Sequence, residues 1–240
     1  TRPDYWKLDS WPQLTLDSNY KAFEVPDDEP VFDEVFSRMD KTIYAQPPLN
    51  PLSTTPGLHM RKLFCLVNDA HFSYYQLQKE TMLNSQFVGR SKLNETWLYH
   101  GTKCETFGEV LKTGLSAEWA ARSLYGKGVY TSTHASYSVQ SAFAAPMMAG
   151  TCCAPWSDVF QPGDRVVLMG RGLCGNGKMS QYNSSSLRFP PVHKDGTDRN
   201  YDCFYNQQTA ANSHMRIFLP DNDKAFYPEF AIVLGSTTGQ

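Results

Sequence analysis

Short apolar runs with strand character recur along this chain, and they do not alternate regularly with helices. Strand patterns lie at 61–67, 97–99, 165–169 and 230–234, and helical patterns at 31–39, 70–83, 105–112 and 137–145. A doubly wound parallel sheet needs a crossover helix between consecutive strands. The pattern therefore predicts an α+β fold in which short strands are flanked by short helices.

The first 57 residues differ in composition from the rest of the chain. Residues 1–30 are polar, residues 31–39 show helical spacing, and residues 45–57 combine four prolines with a Ser-Thr-Thr run. We expect residues 1–57 to form an arm and a short helix packed on the body, which residues 58–240 form. The aromatic residues expected to dock the arm are Trp6, Trp11, Tyr20 and Phe23. Because the sequence starts at Thr1 without a Met, we also expect it to be part of a longer chain.

Overall charge and cysteine content exclude several classes of protein. A net charge of -2 and a pI near 6.3 argue against broad binding to a nucleic-acid backbone. No apolar run approaches the roughly 20 residues that cross a bilayer. The six cysteines are too sparse for a disulfide scaffold and form no CxxC pair. We therefore expect no structural metal, no membrane segment and an intracellular, reducing setting.

The glycine-rich segment 170–180, GRGLCGNGKMS, imitates two phosphate-binding patterns, G-x-G-x-x-G and G-x-x-x-x-G-K. Both patterns place backbone N–H groups at the start of a helix. The residues that follow favour turns, and Met179 stands where a phosphate loop needs a hydroxyl for Mg²⁺. The segment is therefore interpreted as a glycine-rich stretch after an inner strand.

Three short motifs occur in order: LYHGT at 98–102, YGKGVY at 125–130 and YPEF at 227–230. Singly, each has an ordinary explanation as a half-buried histidine, a turn, or a carboxylate at a strand start. Together they resemble the poly(ADP-ribose) polymerase catalytic domain, whose H-G-[TS], G-K-G-x-Y and Y-x-E-[YF] motifs match at His100, Tyr130 and Glu229. The similarity runs from about Leu63 to the C-terminus, and residues 135–140 resemble members that also carry macrodomains.

That resemblance implies the ADP-ribosyltransferase fold, with two packed, mostly antiparallel sheets flanked by short helices. It implies an enzyme that uses NAD⁺ as co-substrate without a metal, transfers ADP-ribose to an acceptor and releases nicotinamide. Protein side chains are the expected acceptors, and a nucleic-acid acceptor has no support in the sequence. Transfer of a single unit and transfer of a polymer both remain open, because some family members with the glutamate do not elongate.

The resemblance also implies roles for individual residues. Cleaving the bond between nicotinamide and ribose creates an oxocarbenium-like transition state, and Glu229 is the expected stabilising anion. His100, with Thr102 beside it, is expected to hydrogen-bond the adenosine ribose. The backbone of Gly101 is expected to approach the nicotinamide carboxamide because no Cβ intervenes. Ser138 adds a hydroxyl to the same amide.

Aromatic side chains are expected to hold the nicotinamide ring. Tyr130 stacks on the ring, Phe143 is the second stacking residue and Tyr137 is a further contact. The loop 116–124 is expected to cover the dinucleotide, and Arg122 is its cation for the pyrophosphate.

Alternatives from other classes stay open. A non-catalytic module of the same fold that only binds NAD⁺ or ADP-ribosyl ligands is one, although such a module has no need of Glu229. NAD⁺ glycohydrolysis, with water as acceptor, is a second. A nucleotide hydrolase that uses the glycine-rich segment is a third, and dependence on Mg²⁺ would identify it.

Overall fold

The computed structural model describes residues 8, 10–17, 20–43, 57–84, 93–119, 127–140, 142–151, 156–179, 202–205, 214–218 and 220–236. The strands are β1 (Gln13–Asp17), β2 (Tyr20–Glu24), β3 (Leu58–Val67), β4 (Glu95–Thr102), β5 (Val129–Ser132), β6 (Arg165–Leu173), β7 (Gly177–Met179), β8 (Cys203–Tyr205), β9 (Met215–Phe218) and β10 (Phe226–Ser236). The helices are α1 (Pro30–Ile43), α2 (Asp69–Asn84), α3 (Cys104–Thr113) and α4 (Ala135–Ser138). None of the helices in these ranges has the length and apolar run that crossing a membrane requires.

The strands form one ten-stranded sheet in the order β1-β2-β3-β10-β6-β4-β5-β9-β8-β7. All described pairings are antiparallel except the parallel pair β7–β8. The predicted α+β class, with mostly antiparallel strands flanked by short helices, is confirmed. The pair Tyr99–Ser132 joins β4 to β5 and so connects the strands into one continuous sheet.

Each face of the central strands carries its own hydrophobic core. One core packs α2 and α3 on Leu98, Leu168 and Ala231, and the other packs α1 and α4 on Tyr99 and Met169. Neighbouring residues of a strand point to opposite faces, so β4, β6 and β10 serve both cores. These three strands form a rigid, doubly covered platform.

The N-terminal arm contains two strands that the sequence did not predict. β2 pairs with β3, and β1 pairs in turn with β2, so the arm extends the sheet at its edge. Tyr20, Ala22, Phe23 and Trp11 are buried, so three of the four aromatics named from the sequence lie in the hydrophobic cores. Trp6 lies outside the described residues. The division at residue 57 stays a prediction.

Several element predictions are confirmed and one is wrong. α2 buries Phe72, Tyr75 and Met82 as expected, and α3 is followed by Gly114 with a positive φ of 78°. The helix predicted over 137–145 is instead the single turn α4, followed by an irregular segment. Most of the predicted loop 45–57 lies outside the described residues.

The glycine-rich segment has no helix after it within the described residues. β6 continues through Leu173, and the short strand β7 follows at Gly177–Met179. A phosphate loop needs a helix N-terminus at this place. Residues 177–179 form a strand instead, so the described residues give no support to the nucleotide-hydrolase alternative.

Candidate functional site

His100 and Tyr130 meet where β4 and β5 separate. The two strands pair at Tyr99–Ser132, and His100 is the next residue of β4. Its ring nitrogen Nδ1 lies 2.7 Å from the carbonyl oxygen of Tyr130. The structure thus brings together the predicted residues of the first and second motifs.

The contact with a carbonyl determines the tautomer of His100. A carbonyl oxygen only accepts, so Nδ1 carries the proton and donates it. Burial lowers the pKa of His100, and the hydrogen bond to Tyr130 only partly opposes that shift. The ring is therefore neutral at pH 7 and its Nε2 has a free lone pair. Such a nitrogen accepts a hydrogen bond from a hydroxyl group, as the proposed ribose contact requires.

Gly101 lies directly against the segment that follows α4. A Cβ atom at this position would overlap the carbonyl oxygen of Ser138 and would lie 2.9 Å from Cβ of Phe143 and 3.0 Å from the amide nitrogen of Ala144. Two of these three atoms belong to the backbone, which cannot give way as a flexible side chain does. The glycine thus lets the turn after α4 sit on the end of β4.

Ser138 is buried in this contact, and its hydroxyl donates to the carbonyl oxygen of Tyr99 at 2.9 Å. The hydroxyl proton is therefore engaged, and the oxygen keeps lone pairs that can accept from an amide N–H. The sequence predicted a carboxamide contact without deciding which group donates. The geometry favours Ser138 as the acceptor.

The predicted aromatic residues form one cluster. The rings of Tyr137 and Phe143 lie 4.6 Å apart between centroids, with 30° between their planes. Tyr130 and Tyr137 both pack on a small core of Phe204, Met215 and Ile217. Because all three aromatics are half-buried, the cluster offers ring surface to a flat ligand.

Of the remaining predicted cofactor-binding residues, the structure describes Thr102 but not Arg122. Thr102 is buried at the end of β4, opposite Val166 of β6. Arg122 lies outside the described residues, as does most of the loop 116–124. Lys127 of the second motif places its Nζ 2.6 Å from Oε2 of Glu118, which ties this motif to the short helix at Ala117–Trp119.

Glu229 lies at a bulge of β10 and binds Arg171. The register of β10 against β6 shifts between Pro228 and Phe230, so Glu229 is the extra residue. Its side chain is fully buried, and Nε of Arg171 donates to its Oε1. Burial raises the pKa of the Glu229 carboxyl, but the guanidinium bonded directly to it favours the charged form, so we treat Glu229 and Arg171 as an ion pair.

The Arg171 contact belongs to a larger ionic network. Nη1 of Arg171 lies 3.6 Å from Oε1 of Glu95, and the same oxygen accepts from the hydroxyl of Tyr75 at 2.7 Å. Lys79 closes the network at 2.5 Å from Oε2 of Glu95. Glu229 is thus the buried end of a chain of charges that anchors α2 to β4, β6 and β10.

Strand register locates Glu229 relative to His100. His100 pairs with Leu168 of β6, which pairs with Ala231 of β10. Glu229 lies two residues beyond this row, and two strand spacings, about 10 Å, separate the backbones of β4 and β10. The structure therefore groups the residues of the first two motifs closely and places Glu229 farther away.

Sequence reasoning missed the partners of Glu229. The available signal was Arg171, which lies inside the strand RVVLMGRGL and is, with Arg165 at its start, one of two charges among apolar residues and glycines. A charge in a buried strand needs a partner. It also missed His134 and His214, whose ring centroids lie 3.5 Å apart just before α4. These two residues are far apart in the sequence, so no local pattern joins them.

Metal ligands do not cluster in the part of the chain that the structure describes. Within those residues there is no group of three or more His, Cys, Asp or Glu side chains that could hold an ion.

Comparison with known proteins identifies the family. The family model described as the poly(ADP-ribose) polymerase catalytic domain matches residues 44–181, more than half of the 240 residues. His100 and Tyr130 fall inside this range, and Glu229 lies beyond it. The human protein mono-ADP-ribosyltransferase PARP14 is 24% identical over 216 residues, which cover 89% of this chain and 10% of that protein. The chain thus spans about a tenth of the relative's length. It belongs to the family of poly(ADP-ribose) polymerase catalytic domains.

Proposed function

We propose that this chain transfers ADP-ribose from NAD⁺ to an acceptor and releases nicotinamide. The observation that carries the proposal is the junction of β4, β5 and the turn after α4. There the His100 ring bonds the Tyr130 backbone, and Gly101 lies against Ser138 at the end of α4 and against Phe143 in the turn that follows. Membership of the family supplies the expectation of NAD⁺ as co-substrate.

The nicotinamide end of NAD⁺ fits the aromatic side of this junction. Tyr130, Tyr137 and Phe143 offer half-buried rings for stacking. The backbone of Gly101 and the oxygen of Ser138 are polar groups beside those rings, and they suit the carboxamide. One hydroxyl acceptor with a nearby backbone would fix the orientation of the amide, which is how apolar pockets acquire specificity.

The adenosine ribose is assigned to His100. The neutral ring donates from Nδ1 to Tyr130, so its Nε2 can accept from a ribose hydroxyl. Thr102 lies two residues farther along β4. Arg122 remains our proposed pyrophosphate contact, on sequence grounds alone.

Glu229 is the proposed anion for the oxocarbenium-like transition state. A buried carboxylate acts strongly on a developing positive charge, because little water screens it. Its bond to Arg171 reduces the negative charge available to the ribose. Turnover therefore depends on whether the Glu229 carboxylate stays bonded to Arg171 or turns its negative charge to the ribose once a ligand is bound.

Protein side chains are the acceptors we propose. The related human protein is named a mono-ADP-ribosyltransferase and the family a polymerase. The two names disagree on product length, so the length must come from measurement. We keep single-unit and polymer transfer as the two outcomes.

An intracellular, reducing setting is proposed for the chain. Among the described residues, Cys65, Cys104, Cys174 and Cys203 are free thiols and all four are buried. Burial raises the pKa of the Cys65 thiol to about 12. Such a thiol stays protonated and unreactive at neutral pH.

A non-catalytic module that only binds NAD⁺ or ADP-ribose is the second candidate. The observation in its favour is the engagement of Glu229 by Arg171, at a distance from the His100 row. A carboxylate with a purely structural role would show the same bond to Arg171 and the same distance from His100. NAD⁺ glycohydrolysis is a third outcome, in which the same site delivers ADP-ribose to water.

The deciding experiment is incubation with NAD⁺, labelled in its adenosine part, in the presence of EDTA. Nicotinamide release and label on protein are followed for wild type, Glu229→Gln and the matched control Glu95→Gln. Label on protein that Glu229→Gln loses and Glu95→Gln keeps supports the transferase. Nicotinamide release without label indicates glycohydrolysis. NAD⁺ binding with neither signal overturns the proposal in favour of the binding module.

A further inference from the structure

Arg165 is a buried cation at the start of β6, next to the candidate site. It is 7% exposed, and burial lowers the pKa of its guanidinium. The two residues that follow it pair with the end of β4, Val166 with Thr102 and Val167 with Gly101. A buried charge is costly unless it makes good hydrogen bonds, so the partners of Arg165 indicate its role.

Two of its partners are the ends of the turn after α4. Nη1 of Arg165 lies 2.8 Å from the carbonyl oxygen of Val139 and 3.4 Å from that of Ala144. Inside the turn, the carbonyl oxygen of Gln140 accepts from the amides of Phe143 and Ala144, each at 2.9 Å. One guanidinium nitrogen with two N–H groups thus ties both ends of the turn to the sheet.

The same turn is the segment that contacts Gly101. Ser138 and Phe143 approach the Cα of Gly101 so closely that a Cβ would not fit between them. A small displacement of the turn therefore changes the spacing between the β4 backbone and the Phe143 ring. The ring of nicotinamide is proposed to lie in that region.

We propose that Arg165 is a positioning residue for nicotinamide recognition, because it holds the turn Val139–Ala144 at a set distance from Gly101. The inference rests on the proposed function and adds a residue to it. Arginine suits the task because its planar guanidinium presents several N–H donors in a fixed geometry. A lysine at the same position keeps the positive charge but loses this fixed arrangement of N–H donors.

A merely structural role for Arg165 makes a different prediction. General loosening of the domain would weaken every ligand alike. Loss of positioning weakens ligands that use the nicotinamide region and spares those that lack it. Benzamide, a flat ring with a carboxamide, reports the first region, and ADP-ribose, which has no nicotinamide, reports the rest of the site.

The test compares Arg165→Lys with the matched control Arg61→Lys. Arg61 is half-buried on β3 and binds Asp164 and the carbonyl oxygen of Val159 instead of the turn. Benzamide and ADP-ribose affinities are measured by calorimetry, and amide hydrogen exchange is followed at Phe143 and Ala144. For Arg165→Lys we expect benzamide affinity to fall about tenfold or more, because the turn no longer holds the Phe143 ring at its set distance from Gly101 and misplaced groups lose much of their effect.

The other readouts separate the outcomes. ADP-ribose affinity should stay within about twofold in Arg165→Lys, exchange at Phe143 and Ala144 should speed up, and Arg61→Lys should change neither. Equal losses for both ligands, or unchanged exchange in the turn, would overturn the role of Arg165. A wild-type protein that binds neither ligand would instead refute the proposed function, while the exchange data still show whether Arg165 holds the turn.

Discussion

At the scale of single residues, Glu229 has two competing roles that substitution can separate. Glu229→Gln keeps the shape of the side chain and an oxygen for Arg171, but it removes the charge. We expect kcat to fall about a hundredfold, the order found when one transition-state contact is lost, with NAD⁺ affinity changed little. Initial rates and calorimetric NAD⁺ binding are the measurements.

Glu95→Gln is the control for this substitution, because Glu95 binds the same Arg171 from the other side. If the two variants lose turnover to the same extent, the charge network serves the fold and not the reaction. A Glu229→Gln enzyme with normal turnover would show that another group supports the transition state.

His100 gives a prediction of pH dependence. Burial lowers its pKa below the ordinary value of 6.5, so protonation in the folded protein begins only under more acidic conditions. The proton goes to Nε2, since Nδ1 already donates to Tyr130, and the acceptor for ribose is lost. We expect NAD⁺ affinity to be constant from pH 8 to 6.5 and to fall below it, as measured by calorimetry.

Two other histidines also have lowered pKa values and could contribute to the same pH dependence, so one of them serves as the control. Burial also lowers the pKa values of His134 and His214. His134→Asn should keep the loss of affinity in acid, whereas His100→Gln should bind more weakly at every pH without that loss. Acid weakening that survives in His100→Gln would assign the effect elsewhere.

At the scale of elements, the fit between β4 and the turn after α4 can be tested by adding one methyl group. Gly101→Ala places a Cβ against the carbonyl oxygen of Ser138 and 2.9 Å from Cβ of Phe143. We expect the free energy of unfolding to fall by about 1–3 kcal/mol through overpacking, and benzamide binding to weaken as the turn moves. Thermal denaturation and calorimetry measure the two effects.

Gly108→Ala is the matched control within α3. Its added Cβ would meet Trp156 at 3.8 Å, an ordinary contact, and alanine favours the helix. We expect stability to rise by about 0.5–1 kcal/mol. Equal behaviour of the two alanine variants would refute the steric argument.

The sequence predicted elements well where local pattern and packing agree. β3, α2, α3 and β6 lie where their apolar spacing indicated. β1 and β2 were missed because pairing with β3, which no local pattern reveals, makes YKAFE a strand. The helix predicted over 137–145 stops at Ser138, since Arg165 and the contact with Gly101 favour a turn there.

In the candidate site, too, local motifs were predictable and contacts between distant parts of the chain were not. The resemblance of the motifs to a known family predicted that His100, Gly101 and Tyr130 share one site, and in the structure the His100 ring bonds the Tyr130 backbone. The ion pair of Glu229 with Arg171 and the bonds of Arg165 join distant parts of the chain. Such contacts depend on strand order, which one sequence does not state.

At the scale of the whole molecule, the N-terminal strands are expected to be part of the folding unit. Removing residues 1–25 exposes the edge of β3 and deletes the buried side chains of Tyr20 and Phe23. Two large apolar side chains stabilise by about 3–6 kcal/mol, a large share of a typical total of about 5–15 kcal/mol. We expect the truncated protein to aggregate or to melt well below the intact chain, as scanning calorimetry and light scattering would show.

Deletion of residues 1–7 is the control, because it leaves β1 and β2 in place. A stable, monomeric protein lacking residues 1–25 would contradict the expectation. It would also support a body that folds without the N-terminal arm.

The single residue pair between β4 and β5 has a further consequence for how the site recognises its ligand. Tyr99–Ser132 is the described link between these strands, so β5 does not pair with the following residues of β4. A carboxamide is chemically a fragment of peptide backbone, with one carbonyl and one N–H₂ group. In the proposed complex the carboxamide of nicotinamide takes the place of a β5 residue beside Gly101. It then makes the backbone hydrogen bonds that β5 does not make with this part of β4. The main chain, which side-chain substitution leaves unchanged, would then carry the recognition of the amide.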